Sequence, residues 1–561
     1  MKHPLNHTKE ITAMTTPFKV LTPNRYAGSC ATCATPVGAG KGVAVKATRD
    51  AKWAVTCSPC HNGTEPTPKV ADLADRPSFD LTDEQEAALS LFRQGKSIAV
   101  QAGAGTGKTS TLVAIAKSTT RTGAFVAFNS AIVRDAAAKL PGNVTASTAH
   151  SLAFRQVGKH YRARLNSSRQ SSAEIARRLS IDPCVVQVGG APKVLQPSAL
   201  AGYVMKAIGT FCNSADRVPE AKHFPYVKGI DLPDDEGNRT WENQDIVREH
   251  LADALSMAWE DIQRTDGELR FTHDNYLKLW ELGYRGQPVI PGDFILFDEA
   301  QDASPVLLSV VEQQDKQVVF VGDAQQAIYE WRGAVDAMST VPADSTAYLT
   351  NSFRFGPEIA DVANKVLACI PSAVLRLTGK GADGTVDTAE NPDAILTRTN
   401  AGSVAVVLQE VAAGRTAHLV GGSGEIESFA KAAEALMAGQ PTSHPELCIF
   451  DSWTQVQAYA SEDVLGGELA PMVKLIDQYG VATVLRAVST TVSEEDADVV
   501  VSTAHKAKGR EWDTVRLHGD FPTADRMADE EYRLLYVAVT RARLHLDITG
   551  CEVATEIVNP D

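Results

Sequence analysis

Residues 99–112 read AVQAGAGTGKTSTL, an apolar run followed by a glycine-rich run that closes on Gly107, Lys108 and Thr109. The pattern is G-x-x-x-x-G-K-[ST], except that Ala102 stands at the first glycine position. "SIAVQA" has the make-up of a short buried strand, and "TSTLVAIAKSTT" resumes helical spacing after the glycines. In that setting the backbone N–H groups of Gly103, Ala104, Gly105, Thr106, Gly107, Lys108, Thr109 and Ser110 are expected to curl round phosphate oxygens at a helix N-terminus. Lys108 would reach the β and γ oxygens, and the Thr109 hydroxyl would hold Mg²⁺. The alternative is a glycine-rich turn without nucleotide; the flanking strand and helix argue against it.

A phosphate loop does not hydrolyse alone. "ILFDEAQD" supplies two carboxylates at the end of an apolar strand: Asp298, expected to hold Mg²⁺ through water, and Glu299, expected to orient and deprotonate the attacking water. A surface acidic pair is the other reading. Further strand candidates are "AFVAFN", "QVVFVGD" and "AYLTNSF", separated by helical patterns, which predicts a mostly parallel sheet with crossover helices. From Tyr348 onward "AILTRTN", "TAHLVGG", "DVVVSTAHKAKG" and "LHLDITG" predict a second such unit. No internal repeat is visible by identity.

The bulk numbers agree with several units. At 561 residues the chain is too long for one core, and 44% hydrophobic with 22% charged residues is ordinary globular composition. No apolar run approaches the roughly 18 residues of a membrane span. The opening "MKHPLNHTKEITAMTTPFKVLTP" has no apolar h-region, so a cytoplasmic protein is expected. A net charge of −15 does not decide partners, because phosphate contacts are local.

The predicted organisation is an N-terminal cysteine module (1–63), a linker (64–78), a first α/β domain (79–345) with a mostly helical insertion at about 155–285, and a second α/β domain (346–561) with a small insertion at about 436–496. In the module, Cys30-x2-Cys33 and Cys57-x2-Cys60 stand 23 residues apart, so four thiolates can surround one structural Zn²⁺ in a ribbon-like unit. Free thiols and redox chemistry are the alternatives. Lys41, Lys46, Arg49, Lys52 and Trp53 between the knuckles fit DNA, a docking surface or a solvated loop equally.

In order, "LTDEQ", "AGAGTGKT", "DEAQD", "VGDAQQAIYEWRGA", "TNSFRFG", "STAHKAKGREWD" and "EEYRLLYVAVTRAR" resemble the motifs of superfamily 1 helicases of the UvrD, PcrA and Rep type. They span residues 79–550, and runs such as "LTNSFRFGPEIADVAN" resemble the F-box DNA helicase branch, although no F-box is evident. The resemblance implies two tandem RecA-like P-loop domains sharing ATP and Mg²⁺. It assigns Gln85 to the adenine edge, Phe353 to the adenine face, Gln326 to sensing the γ-phosphate, and Gly509 with Glu511 to the nucleotide, Glu511 at the ribose. Arg354 and Arg541 become arginine fingers from the second domain, so hydrolysis depends on closure; a structural ion pair is the alternative for each.

The same resemblance lays single-stranded DNA along Phe128, Asn129, Thr148, His150, Ser151, Trp331 and Arg332 in the first domain and Thr503 and His505 in the second. A core Phe128, a buried His150, and a solvated basic face over Arg155–Arg169 remain open. The expected function is an ATP-dependent DNA helicase or translocase, moving 3′ to 5′ by family polarity. Two alternatives are a translocase that strips proteins such as recombinase filaments, and a silent DNA-binding scaffold. Expected partners are single strands, single/double-strand junctions and recombination or replication proteins, with no membrane; a monomer and a bacterial or viral source are also expected.

Overall fold

The apolar runs that alternate with helical spacing assemble into two parallel sheets. The computed structural model describes residues 19–21, 28–29, 36–37, 41–46, 54–57, 81–127, 130–168, 170–231, 242–328, 337–461 and 469–560. They divide between two compact units, Met1–Ser78 and Phe79–Asp561.

In the larger unit the first sheet contains β1 (Ile98–Ala102), β2 (Gly123–Ala127), β3 (Val144–Thr148), β4 (Phe294–Asp298), β5 (Gln317–Gly322) and β6 (Ser345–Leu349), in the order β6-β1-β5-β4-β2-β3. All neighbours are parallel. Every residue of β2 and β4 is buried, as expected for strands covered on both faces. β6 pairs with β1 in register Ser345 to Ile98, so the first sheet runs to Leu349 and the boundary expected at 345/346 falls inside it. Local composition marked this strand but carried no information about which sheet would accept it.

The second sheet contains β7 (Thr385–Val386), β8 (Ala394–Thr397), β9 (Ala417–Leu419), β10 (Val499–Thr503), β11 (Trp512–Leu517) and β12 (Ala542–Asp547), ordered β7-β12-β11-β8-β10-β9 and again parallel. The sequence did not announce β11, whose WDTVRL carries polar residues at 513, 514 and 516 and has no apolar run. Asp393 fixes it by accepting the Thr514 N–H at 2.8 Å.

The insertion between β3 and β4 is mostly helical, with long helices at Pro197–Asn213 and Ala252–Gln263. It also holds a hairpin, Cys184–Val188 against Ala191–Leu195, turned at Gly189 and Gly190. The second insertion is helical, with Trp453–Ala460, Ala470–Tyr479 and Val481–Ser489. The two insertions touch. Ile449 is buried in the apolar cluster of the first, worth about 1.5–3 kcal/mol for such a side chain. Lys193 pairs with Asp451 at 2.9 Å.

The smaller unit contains an antiparallel three-stranded sheet, Lys19–Leu21, Gly42–Lys46 and Ala54–Cys57, and a short pair, Gly28–Ser29 with Pro36–Val37. Cys57 ends a strand; Cys30, Cys33 and Cys60 lie outside the described residues. Among the described residues no group of three or more His, Cys, Asp or Glu side chains is placed to hold a metal.

Candidate nucleotide site and nucleic-acid face

Helix α1 (Asp83–Arg93) begins with a reciprocal cap: the Thr82 hydroxyl accepts the Gln85 N–H, and the Gln85 side-chain oxygen accepts the Thr82 N–H. This cap occupies the oxygen of the buried Gln85 amide and leaves its Nε2 aimed at the phosphate loop, 3.1 Å from where a Cβ on Gly107 would stand. Gly107, at φ +81°, is the N-cap of α2 (Lys108–Lys117), and no side chain caps that helix. Its first N–H groups therefore face the pocket, as an anion site requires.

Gly105 combines a positive φ of +74° with close approach. A Cβ there would lie 2.6 Å from both Arg354 Cβ and Ser352 Oγ. The Gly105 carbonyl accepts the Phe353 N–H at 2.8 Å, so the loop and the start of the second lobe are in backbone contact.

A cavity of about 570 Å³ lies at this junction. Its lining includes Gly105 to Ser110, Glu299, Asp302, Gln326, Phe353, Arg354, Lys508, Gly509, Glu511 and Arg541. Thus most residues expected at the nucleotide share one wall system, and Phe353, half exposed, is available for stacking. Thr109 Oγ1 donates to Asp298 Oδ2 at 3.3 Å, and Lys108 Nζ stands 4.0 Å from Glu299 Oε1. Glu299 occupies the left-handed region at φ +53°, a strained conformation for a residue with a side chain, immediately after β4.

Burial, then the neighbouring Glu299, pushes the Asp298 carboxyl up to about 7. Glu299 is shifted the other way. Burial alone would raise it, but Lys108, Lys508, a hydrogen bond from Gln301 and Arg541 together bring it below the ordinary range. Burial and then the Arg354 charge lower Arg541 to about 9. A cluster of cations, Lys108, Arg354, Lys508 and Arg541, lines the cavity beside the loop. Thr109 and Asp298 offer the hard oxygen donors that Mg²⁺ takes, and Lys108, Arg354 and Arg541 match a polyphosphate. The residues fit ATP and Mg²⁺.

Two expected neighbours are instead partnered with each other. Arg354 Nε donates to Glu511 Oε2 at 2.7 Å and its Nη1 to the Thr540 carbonyl at 2.9 Å. Sequence reading missed a tie that does cross the cleft: Lys508 Nζ donates to Asp302 Oδ1 at 2.6 Å and to the Gln326 carbonyl. Both residues sit inside quoted motifs, "DEAQD" and "HKAKG", yet their meeting depends on how the lobes dock.

At the strand ends expected to carry nucleic acid, the two lobes use the same local device. "STAH" occurs at 147–150 and again at 502–505, each time where a strand of a parallel sheet gives way to a helix, so a short repeat is present after all. Thr148 caps α3 (Ala149–Gln156) by accepting the Ser151 N–H, and Thr503 caps Ala504–Ala507 by accepting the Lys506 N–H. Those hydroxyls are engaged in capping, and Thr503 is buried. His150 Nε2 lies 3.2 Å from Asp274 Oδ1. Burial, then Arg398, lowers His505 to about 4, so its ring is neutral at pH 7. Phe128, Asn129, Trp331 and Arg332 lie outside the described residues.

Fold and pocket together define a two-lobed P-loop unit with its nucleotide cavity between parallel sheets. Residues 85–332 match the family model described as AAA domain, and residues 498–549 match that described as UvrD-like helicase C-terminal domain. The chain is 31% identical over 512 residues to F-box DNA helicase 1 of Gallus gallus, covering 82% of this chain and 48% of that protein. It is 30% identical over 522 residues to F-box DNA helicase protein 1 of Schizosaccharomyces pombe, covering 83% and 57%. ATP-dependent DNA helicase UvrD2 of Mycobacterium tuberculosis matches at 27% over 336 residues, covering 45% and 46%. The chain carries the domains of a UvrD-like superfamily 1 helicase, and it spans about half the length of these relatives. The expected bacterial or viral source is not supported, because the two matches covering most of the chain are to eukaryotic proteins. Among the described residues no helix is long and apolar enough to cross a membrane.

Proposed function

We propose that this chain is an ATP- and Mg²⁺-dependent DNA helicase that moves on single-stranded DNA, 3′ to 5′, and separates strands at junctions. One observation carries the reading. Lys108, Thr109 and Glu299 from the first lobe and Arg354 and Arg541 from the second line a single cavity, with Asp298 buried behind it and hydrogen-bonded to Thr109. When bound, ATP with Mg²⁺ supplies the phosphoryl group whose transfer releases the free energy. Lys108 and Thr109 hold the phosphate end; Glu299, kept anionic by Lys108 and Lys508, accepts a proton from the attacking water. Arg354 and Arg541 neutralise charge that develops on the transferred group. Because these arginines come from the other lobe, turnover requires the cleft to be shut, and repeated shutting moves two Thr–His strand ends along a single strand.

The four cysteines at 30, 33, 57 and 60 are assigned a structural Zn²⁺ on their spacing alone. The domain limits 1–63, 64–78 and 79 onward stand as part of the same proposal.

The test is unwinding of duplexes with a 3′ or a 5′ single-stranded tail, with ATP and Mg²⁺, beside Lys108→Ala. Unwinding of the 3′-tailed duplex alone, lost by about 10²-fold or more in the variant, is expected. Equal turnover by K108A refutes the nucleotide site; unwinding only from 5′ tails refutes the polarity.

A further inference from the structure

The helix that precedes Arg541, α4 (Asp529–Val539), carries a second group into the cleft. Tyr536 is 1% exposed, and its hydroxyl makes two hydrogen bonds to the first lobe. It accepts the Ala104 N–H of the phosphate loop at 3.2 Å and donates to Asp323 Oδ2 at 3.1 Å. Ala104 itself is fully buried in the apolar cluster of the second lobe, so this limb of the loop is packed as part of that lobe.

Asp323 is a branch point. The same Oδ2 accepts Gln326 Nε2 at 2.8 Å, and Gln326 Oε1 faces Arg541 Nη2 at 3.4 Å. In the other direction the Asp323 N–H donates to Gln301 Oε1 at 3.0 Å, and Gln301 Nε2 donates to Glu299 Oε2 at 2.6 Å. A path of hydrogen bonds, buried except at its half-buried last link from Gln301 to Glu299, thus joins the phosphate loop to the water-activating carboxylate and the γ-phosphate sensor. Tyr536 is the member of the Ala104–Asp323 link that the second lobe contributes. If the lobes part, the hydroxyl leaves, and Asp323 and the Ala104 N–H exchange a fixed partner for mobile water, which no longer holds the Asp323 branches in place.

We propose that Tyr536 is a positioning residue that ties closure of the lobes to the placement of Glu299 and Gln326. The inference rests on the hydrolysis reading above. Arg541 brings charge to the reaction; Tyr536, five residues earlier, orients the groups that meet it.

The test is Tyr536→Phe in the full chain, which keeps the ring and removes only the hydroxyl. DNA-stimulated kcat is expected to fall about tenfold with KM for ATP changed less than about twofold, the effect of one buried bond to a charged acceptor. A readout independent of turnover is the distance between dyes at the exposed Gln94 and Glu390, one on each lobe, in nucleotide-free protein. Y536F is expected to broaden it towards longer values. A lowered Tm with wild-type kcat and distances overturns the proposal, since a merely structural tyrosine gives that result. A fall in kcat with unaltered distances also overturns it. If Y536F does not purify, Asp323→Asn, which leaves one acceptor oxygen for three donors, is expected to give the same split. Unimpaired turnover by K108A would instead sink the hydrolysis reading, while the distance measurement still judges the tie.

Discussion

Gly105→Ala isolates the contact between the phosphate loop and the second lobe, because the chain provides its own control. Gly95 has φ +80° and Gly105 φ +74°, so an alanine at either meets the same left-handed backbone penalty. That penalty is about 1–2 kcal/mol, offset by about 0.4–1 kcal/mol from the stiffer unfolded chain. At Gly95 nothing lies within 4 Å of the added Cβ; at Gly105 the Cβ lands 2.6 Å from Arg354 Cβ and Ser352 Oγ and 3.2 Å from Arg354 N. Carbon atoms prefer about 3.5–4.0 Å, so roughly 1 Å of overlap must be relieved, adding about 1–3 kcal/mol. The crowded atoms belong to the second lobe, and the cheapest relief is to move it outward. In nucleotide-free protein G105A is therefore expected to lose at least about twice the Tm that G95A loses, read by thermal melting. DNA-stimulated ATP turnover is expected to fall in G105A and to survive in G95A. Equal losses of Tm, or wild-type turnover by G105A, would refute the close approach that the nucleotide cavity depends on.

Asp520 tests the second lobe by pH. Burial raises its carboxyl, but His518, the Arg398 N–H and Thr399 outweigh burial and hold it below the ordinary range. A depressed folded value stabilises above the unfolded pKa of about 3.9 and loses that stabilisation as pH falls through the folded value. The Tm deficit of Asp520→Asn should be full at pH 7 and shrink below about pH 4; a deficit unchanged at pH 3 contradicts the assignment. For the cysteine module, metal analysis should find about one Zn²⁺ per chain, removable by chelation and lost in Cys30→Ser. A metal-free, fully folded module would dismiss the zinc reading.

Much of the fold was legible locally. Apolar runs next to glycine, carboxylate or amide residues marked β1, β4 and β5, because a buried strand ending in polar side chains leaves a one-dimensional trace. β11 left none, since it is half-buried at Trp512, Asp513, Thr514 and Arg516 with no apolar run, and its place comes from β8 and β12 on either side. The hairpin at 184–195 carried a Gly-Gly signal inside a stretch whose surroundings read as helical. β6 was visible as a strand, but the lobe it joins was not.

The sequence alone determined the chemistry available: a phosphate loop and paired carboxylates, recognisable from neighbours in the chain, and two arginines assigned by resemblance to a family. Tertiary structure decided which of these meet. Arg354 stands against the loop through Gly105, Lys508 reaches Asp302, and Tyr536 closes the path from Ala104 to Asp323. These contacts join residues 206 to 432 positions apart, and local sequence carries no signal for them. Periodicity records which face of an element is buried, whereas contacts across a cleft depend on how two separately built lobes come to rest against each other.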